Sequence, residues 1–176
     1  PIHPVCCEGV TMLLQIEDWQ FDVDIPTTMN YHATEVRQHC DCAYCRNFYT
    51  AVDDAYPGLR PFLAQFGVDV EAPEELMPFE PTNVLCCYAV EGRILHFGSN
   101  ITSVHGLTIH AELPEDAGIN AGCQTPYFVL SVGPMELPWV LNEQVEEVLS
   151  PANEPGFLRR MIDKLLRRAP QNAIES

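Results

Sequence analysis

The sequence predicts an α+β protein with a mostly antiparallel sheet and helices packed on one side. Apolar residues at helical spacing concentrate between residues 27 and 66, whereas strand-like patterns dominate from residue 84 onward. Such segregated runs are typical of α+β domains. Fifteen prolines and ten glycines in 176 residues also indicate many turns between short elements, which disfavours a long helical bundle.

The clearest early element is a strand over residues 19–25, where apolar and polar side chains alternate. This period of two predicts one buried face and one acidic face in water. Residues 12–16 are predicted to form a strand that adjoins this one or is continuous with it. Thr27 or Thr28 is then expected to cap a short helix that reaches toward Gln38.

A second helix is predicted to begin at Asp41, a residue type that caps helices well. Its apolar positions follow the three-and-four spacing of one buried stripe: Cys45, Phe48, Tyr49, Val52, Ala55 and Tyr56. Pro57-Gly58 is expected to end it. A third helix is predicted over residues 59–66, with Gly67 as a left-handed cap, and residues 68–81 are predicted to be a connection.

In the second half of the chain, the sequence pattern predicts strands at residues 84–90 and 94–97, joined as a hairpin at Glu91-Gly92-Arg93. Further strands are predicted at 107–113, 127–132 and 137–141, with a loop over 114–125. Asn142 is expected to cap a helix through residue 149. A final helix is predicted over residues 154–168.

Chain length and composition predict a single α+β domain over residues 12–150, because a chain of this size buries one core without needing two. Residues 1–11 precede Met12, a plausible start, and are interpreted as a leader or added segment. Residues 151–176 are interpreted as a basic amphipathic helix with a tail.

The net charge of −16 disfavours nucleic-acid binding by the body of the protein, since 25 acidic residues oppose nine basic ones. No run reaches the roughly 20 apolar residues that a membrane helix needs. The first residues also lack the pattern of a signal peptide. These observations predict a cytoplasmic protein without a membrane span.

Five of the nine basic residues lie near the C-terminus: Arg159, Arg160, Lys164, Arg167 and Arg168. Residues 157–170 carry a charge of +4, so the remainder carries −20. An apolar stripe beside these cations predicts that the helix docks on the acidic body or mediates self-association with a second copy. A separate acidic protein partner or a membrane surface is the alternative.

The sharpest functional signal is the cluster His39-Cys40-Asp41-Cys42-Ala43-Tyr44-Cys45. Zinc binds four donors in a tetrahedral arrangement, and the spacing Cys42-x-x-Cys45 allows two thiolates to take positions in it. Cys40 should point to the same side as Cys42, and the expected helix N-terminus favours thiolates. We therefore predict a zinc site at Cys40, Cys42 and Cys45. The fourth ligand is drawn from His39, Asp41, Cys86, Cys87, Cys123, His96 and His110.

Two other interpretations stay open. A thiol-disulfide oxidoreductase would use Cys42 and Cys45, although a helix is predicted before this motif in place of the usual buried strand. Alternatively, the protein is an interaction protein whose thiols serve packing alone. Cys86 and Cys87 point to opposite faces of one predicted strand, so at most one joins a shared site. Phosphate-loop, hydrolase and metalloprotease motifs are absent, so the sequence favours a binding module over an enzyme.

The run Cys40-Asp41-Cys42-Ala43-Tyr44-Cys45-Arg46-Asn47-Phe48-Tyr49 resembles a group of uncharacterised bacterial proteins with the motif C-D-C-x-x-C-[RK]-N-F. The segments at residues 66–69 and 137–141 extend the resemblance, which spans roughly residues 12–141. It implies a bacterial cytoplasmic origin and adds no catalytic role.

Overall fold

The computed structural model describes residues 11–34, 40–80, 82–123 and 125–142. These residues form six strands and four helices: β1 (Met12–Ile16), β2 (Trp19–Val23), α1 (Ile25–Thr34), α2 (Ala43–Ala55), α3 (Leu59–Ala64), β3 (Glu75–Glu80), β4 (Asn83–His96), β5 (Ile109–Glu112), α4 (Pro114–Ala117) and β6 (Tyr127–Glu136). The predicted α+β class is confirmed. None of the helices in these ranges has the length and apolar content required to cross a bilayer.

The sheet is built around β4. The strand order is β1-β2-β4-β6-β5, and β3 pairs with the first part of β4. Every pairing among the described strands is antiparallel, as predicted. Residues 84–91 of β4 are all buried, which is expected of a central strand covered on both faces.

The larger core lies on the face of the sheet that α2 and α3 cover. Phe48 and Val52 of α2 and Phe62 of α3 belong to the same apolar cluster as the alternate residues of β4. Phe21 of β2 lies at its centre, with its ring centroid 5.1 Å from that of Phe128 and 5.3 Å from that of Phe66. Aromatic packing of this kind stabilises a core beyond the area that it buries.

A smaller core lies on the opposite face. Leu85, Cys87 and Ala89 of β4 pack there with Tyr31 of α1 and Ala117 of α4. The helices are thus divided between the faces, with α2 and α3 on one and residues of α1 and α4 on the other. The unbroken burial of β4 has this physical origin, since each alternate set of its side chains meets its own apolar cluster.

Helix α1 is attached to β4 by side-chain hydrogen bonds. The backbone N–H of Glu91 donates to Thr28 Oγ1 at 3.0 Å, and His32 Nε2 lies 2.8 Å from the carbonyl oxygen of Ala89. His32 Nδ1 lies 3.0 Å from the carbonyl oxygen of Ala72. Glu91 and Ala89 fall between the parts of β4 that pair with β2 and with β3, so α1 fills this stretch of the strand's edge.

The start of α1 differs from the prediction. The carboxylate of Asp24 accepts the N–H of Thr27 at 3.0 Å, so Asp24 caps a helix that begins at Ile25. The predicted caps Thr27 and Thr28 lie inside the helix, and Thr28 is buried. The predicted end near Gln38 lies outside the described residues.

The predicted hairpin at residues 91–93 is wrong, because β4 continues through it to His96. Gly92 has a φ of +146°, and a Cβ at this position would clash with the carbonyl oxygen of Asp22. The glycine therefore permits close approach of β2 and does not form a turn. Gly67, by contrast, has the predicted left-handed conformation with a φ of +77°.

Other elements also differ from the prediction. The predicted connection over 68–81 contains β3, and the predicted loop over 114–125 contains the short helix α4. The predicted strand at 137–141 is wrong, since these residues form no strand in the structure. Residues 1–10 and the helices predicted over 142–149 and 154–168 lie outside the described residues, apart from Asn142.

Candidate metal centre

The predicted thiol cluster forms at the N-terminus of α2. Cys42 is the residue that precedes the helix, with extended backbone angles (φ −70°, ψ 157°), and Cys45 lies in the first turn. The Sγ atoms of Cys40, Cys42 and Cys45 all lie within 4.8 Å of one another. The extended approach turns Cys40 to the side of Cys42, and the helical turn then brings Cys45 to the same point.

Asp41 does not cap this helix as the sequence predicted. Its carboxylate is 3.6 Å from Arg46 Nη1, and the same guanidinium donates to the backbone carbonyl of Asp41 at 2.6 Å. Cys42 takes the capping position without a side-chain capping hydrogen bond. The residue is therefore free to direct its sulfur toward the cluster.

The sulfur separation fits a tetrahedral zinc ion. Zinc–sulfur bonds of about 2.3 Å correspond to sulfur–sulfur distances of about 3.8 Å. The three sulfurs need to close by no more than about 1 Å, which side-chain rotation can supply. The described residues thus place three sulfur atoms where they could hold a metal ion.

The three cysteines differ in burial and in acidity. Cys40 and Cys42 are exposed, whereas Cys45 is buried. The pKa of the Cys40 thiol is lowered because the backbone N–H of Cys42 and then the thiols of Cys42 and Cys45 donate to its sulfur. Burial raises the pKa of Cys45, and its two sulfur neighbours raise it further. A bound cation would offset this repulsion, so the cluster gains from metal binding.

Burial also raises the pKa of Tyr49 to about 12, with a further contribution from the charge of Cys45. Tyr49 lies one turn after Cys45 on the same helix. The buried side of the cluster is therefore closed by a neutral phenol and the apolar face of α2. Solvent reaches the sulfurs from the side of Cys40 and Cys42.

Helix α2 is held in place by contacts that do not involve sulfur. The side chain of Asn47 donates to the carbonyl of Pro138 at 3.1 Å and accepts the N–H of Val140 at 2.8 Å. The ring of Tyr44 packs edge-on against Trp139, with centroids 5.6 Å apart. These contacts attach the segment after β6 to the first two turns of α2.

Tyr56 holds the other end of this helix. Its hydroxyl donates to the carbonyl of Glu136 at 3.1 Å and accepts the N–H of the same residue at 3.0 Å. Sequence reasoning missed the roles of Asn47 and Tyr56. One signal was present, because asparagine is unfavourable inside a helix and suggests a side chain used for hydrogen bonding.

The fourth predicted ligand is not among the clustered residues. His39 lies outside the described residues. Within the ranges that the structure describes, only Cys40, Cys42 and Cys45 converge, so the candidates Asp41, Cys86, Cys87, Cys123, His96 and His110 do not join them. Cys86 is fully buried in the larger core, and Cys87 lies in the smaller one.

Comparison with known proteins adds no identification. No protein-family model matches the chain, and no curated protein or solved structure gives a significant match.

Proposed function

We propose that this protein is an intracellular binding or interaction module that holds a zinc ion at Cys40, Cys42 and Cys45. The observation that carries the proposal is the convergence of the three Sγ atoms within 4.8 Å of one another. Adjacent cysteines used only for packing have no reason to aim at one point. His39 is retained as the proposed fourth ligand.

Zinc is the metal that this donor set favours. Soft thiolates select zinc, copper(I) or iron–sulfur clusters, and harder ions such as magnesium prefer oxygen donors. The Cys-x-x-Cys spacing at a helix start is common in zinc sites. The six cysteines in the described part of the chain are all unpaired, which agrees with the proposed cytoplasmic location.

Elemental analysis of protein purified without chelator tests the proposal. We expect about one zinc per chain. The triple variant Cys40→Ser, Cys42→Ser, Cys45→Ser should contain none. Cys123→Ser is the matched control, since Cys123 is a free cysteine outside the cluster and should leave the zinc content unchanged. Zinc-free wild-type protein that also fails to take up added zinc would refute the proposal.

A thiol-disulfide oxidoreductase is the second candidate. An exposed Cys42 beside a buried Cys45 at a helix start favours it. The antiparallel pairing of the described strands argues against an oxidoreductase, because redox motifs of this type usually follow a strand of a parallel βαβ unit. A reversible Cys42–Cys45 disulfide at cytoplasmic redox potential, together with an absence of zinc, would favour the enzyme.

A third candidate is an interaction protein with thiols that only pack. The exposure of Cys40 and Cys42 argues against packing at two of the three positions. If this candidate is right, the protein contains no metal. The triple variant then loses stability only through the Cys45 substitution.

The partner is proposed to be another protein or a second copy of the chain, reached through the basic segment at residues 151–176. Its charge opposes that of the remainder of the chain. Truncation after Pro151 tests this, with mass measured by light scattering and stability by thermal melting. We expect fewer copies per particle than for the full chain, or a lower melting temperature. The same number of copies per particle and an unchanged melting temperature would refute it.

A further inference from the structure

The thiol cluster has one closed and one open side. Cys45, in the first turn of α2, is buried with 7% of its surface exposed, whereas Cys40 and Cys42, which precede the helix, are both exposed. Two of the three sulfurs can therefore be approached by another molecule while the third stays anchored. A structural zinc site usually has its four protein donors closed around the metal.

The fold around the cluster has its own sources of stability. Phe48, Ala51 and Val52 of α2 are buried, and Asn47 and Tyr56 bind the segment that follows β6. The larger core continues far beyond α2 through the sheet. A metal that folds a small domain replaces a missing core, and no core is missing here.

The exposed donors can be replaced one at a time. Three thiols of the described residues lie within reach of one ion, and two of them are exposed. A thiol from outside can therefore replace Cys40 or Cys42 while the other two sulfurs hold the ion.

From these three observations we infer that the cluster is an exchange site, which passes a thiophilic metal ion to a thiol-bearing acceptor through the exposed side formed by Cys40 and Cys42. This inference rests on the proposed metal site and changes its role from structural to transfer. Cys45 is the anchor that releases the ion last.

The exchange conserves charge and bonds. A bond from the metal to an acceptor sulfur forms as the bond to Cys40 or Cys42 breaks. The proton that the acceptor thiol loses is taken up by the released cysteine, through solvent. No electron moves, so the step needs neither an oxidant nor a reductant.

Native mass spectrometry of the full chain loaded with Zn²⁺ tests this inference. The acceptor is a synthetic four-cysteine peptide, and the same peptide with serine at each cysteine is its control. We expect zinc to leave the chain and appear on the cysteine peptide, with a rate that doubles when the peptide concentration doubles. The serine peptide should receive none, and Cys123→Ser should transfer at the wild-type rate.

A transfer rate independent of peptide concentration would overturn the inference, because the ion would then leave the chain before it meets the acceptor.

Thermal melting of the metal-free chain is the second measurement. We expect a cooperative transition and an unchanged far-ultraviolet circular dichroism spectrum after zinc removal. A metal-free chain that is unfolded would make the zinc structural and refute the exchange role. These outcomes differ from failure of the proposed metal site itself, in which no zinc binds before any acceptor is added.

Discussion

The six cysteines that the structure describes fall into two groups with opposite properties. Cys40, Cys42 and Cys45 converge at a helix start, with two of them exposed. Cys86, Cys87 and Cys123 are spread over the sheet and an adjoining loop, and none joins a donor cluster in the described structure. Burial raises the pKa of each thiol in the second group, to about 12 for Cys87 and Cys123.

The difference shows that secondary structure decides what a cysteine can do. In β4 the side chains of Cys86 and Cys87 point to opposite faces and enter different cores. At the start of α2 an extended approach and one helical turn direct three sulfurs to one point. The same residue type therefore fills apolar space in one region and forms a candidate ligand set in the other.

Thiol labelling should separate the two groups by the largest margin. In metal-free protein we expect iodoacetamide to modify Cys40 and Cys42 at least about a thousandfold faster than Cys86 and Cys87, since labelling of the latter requires opening of the core. Mass spectrometry of peptides taken at successive times measures the rates. Comparable rates for Cys40 and Cys86 would contradict the comparison.

Asn47→Ala tests whether hydrogen bonds to the segment after β6 hold α2 in position more than the three cysteines do. The substitution removes two hydrogen bonds and leaves the carbonyl of Pro138 and the N–H of Val140 without their partner. We expect a loss of about 1–3 kcal/mol in the free energy of unfolding of the metal-free chain, measured by urea denaturation. Thr50→Ala is the matched control, because Thr50 is an exposed residue of the same helix whose hydroxyl bonds only within that helix. Its expected change is within about 0.5 kcal/mol.

Alanine substitutions compare the two groups directly in the metal-free chain. Cys86→Ala should cost about 1–2 kcal/mol, because removal of a fully buried sulfur leaves a small cavity in the larger core. Cys40→Ala should change stability by less than about 0.5 kcal/mol, since Cys40 is exposed. Equal costs in urea denaturation would show that the exposed cysteine also packs.

The smallest expected effect is at alkaline pH. The pKa of the Cys87 thiol rises from its ordinary value of 9.0 to about 12 on folding, mainly through burial. Its contribution to stability is complete below pH 9 and is lost as the pH rises from 9 toward 12, because the unfolded thiol ionises first. At one unit above its ordinary pKa the loss is about 1.4 kcal/mol. Cys87→Ala should flatten this part of the stability profile, and an unchanged slope would contradict the assignment.

Much of the fold could be predicted because its signals are local. The alternation in β2 and the apolar stripe of α2 each depend on neighbours in sequence, and both elements formed as predicted. The left-handed glycine at position 67 was predicted from helix-ending chemistry in the same way.

The errors have a common physical cause, which is contact between distant residues. Gly92 has the sequence signature of a turn, yet its freedom is used for the approach of β2 from 70 residues earlier in the chain. The segment at 137–141 has the pattern of a strand, yet Asn47 binds its backbone at both polar groups and no strand partner pairs with it within the described residues. Local patterns cannot report either contact.

The sequence by itself determined the α+β class, the position of α2 and the three residues proposed to bind metal, because periodicity and ligand spacing are written in neighbouring residues. Only the tertiary structure decided that Cys45 is buried while Cys40 and Cys42 stay exposed, and that Cys86 and Cys87 lie apart from them in two cores. The exposure of a cysteine depends on which distant parts of the chain pack against it, so it is set only when α2 packs against the sheet.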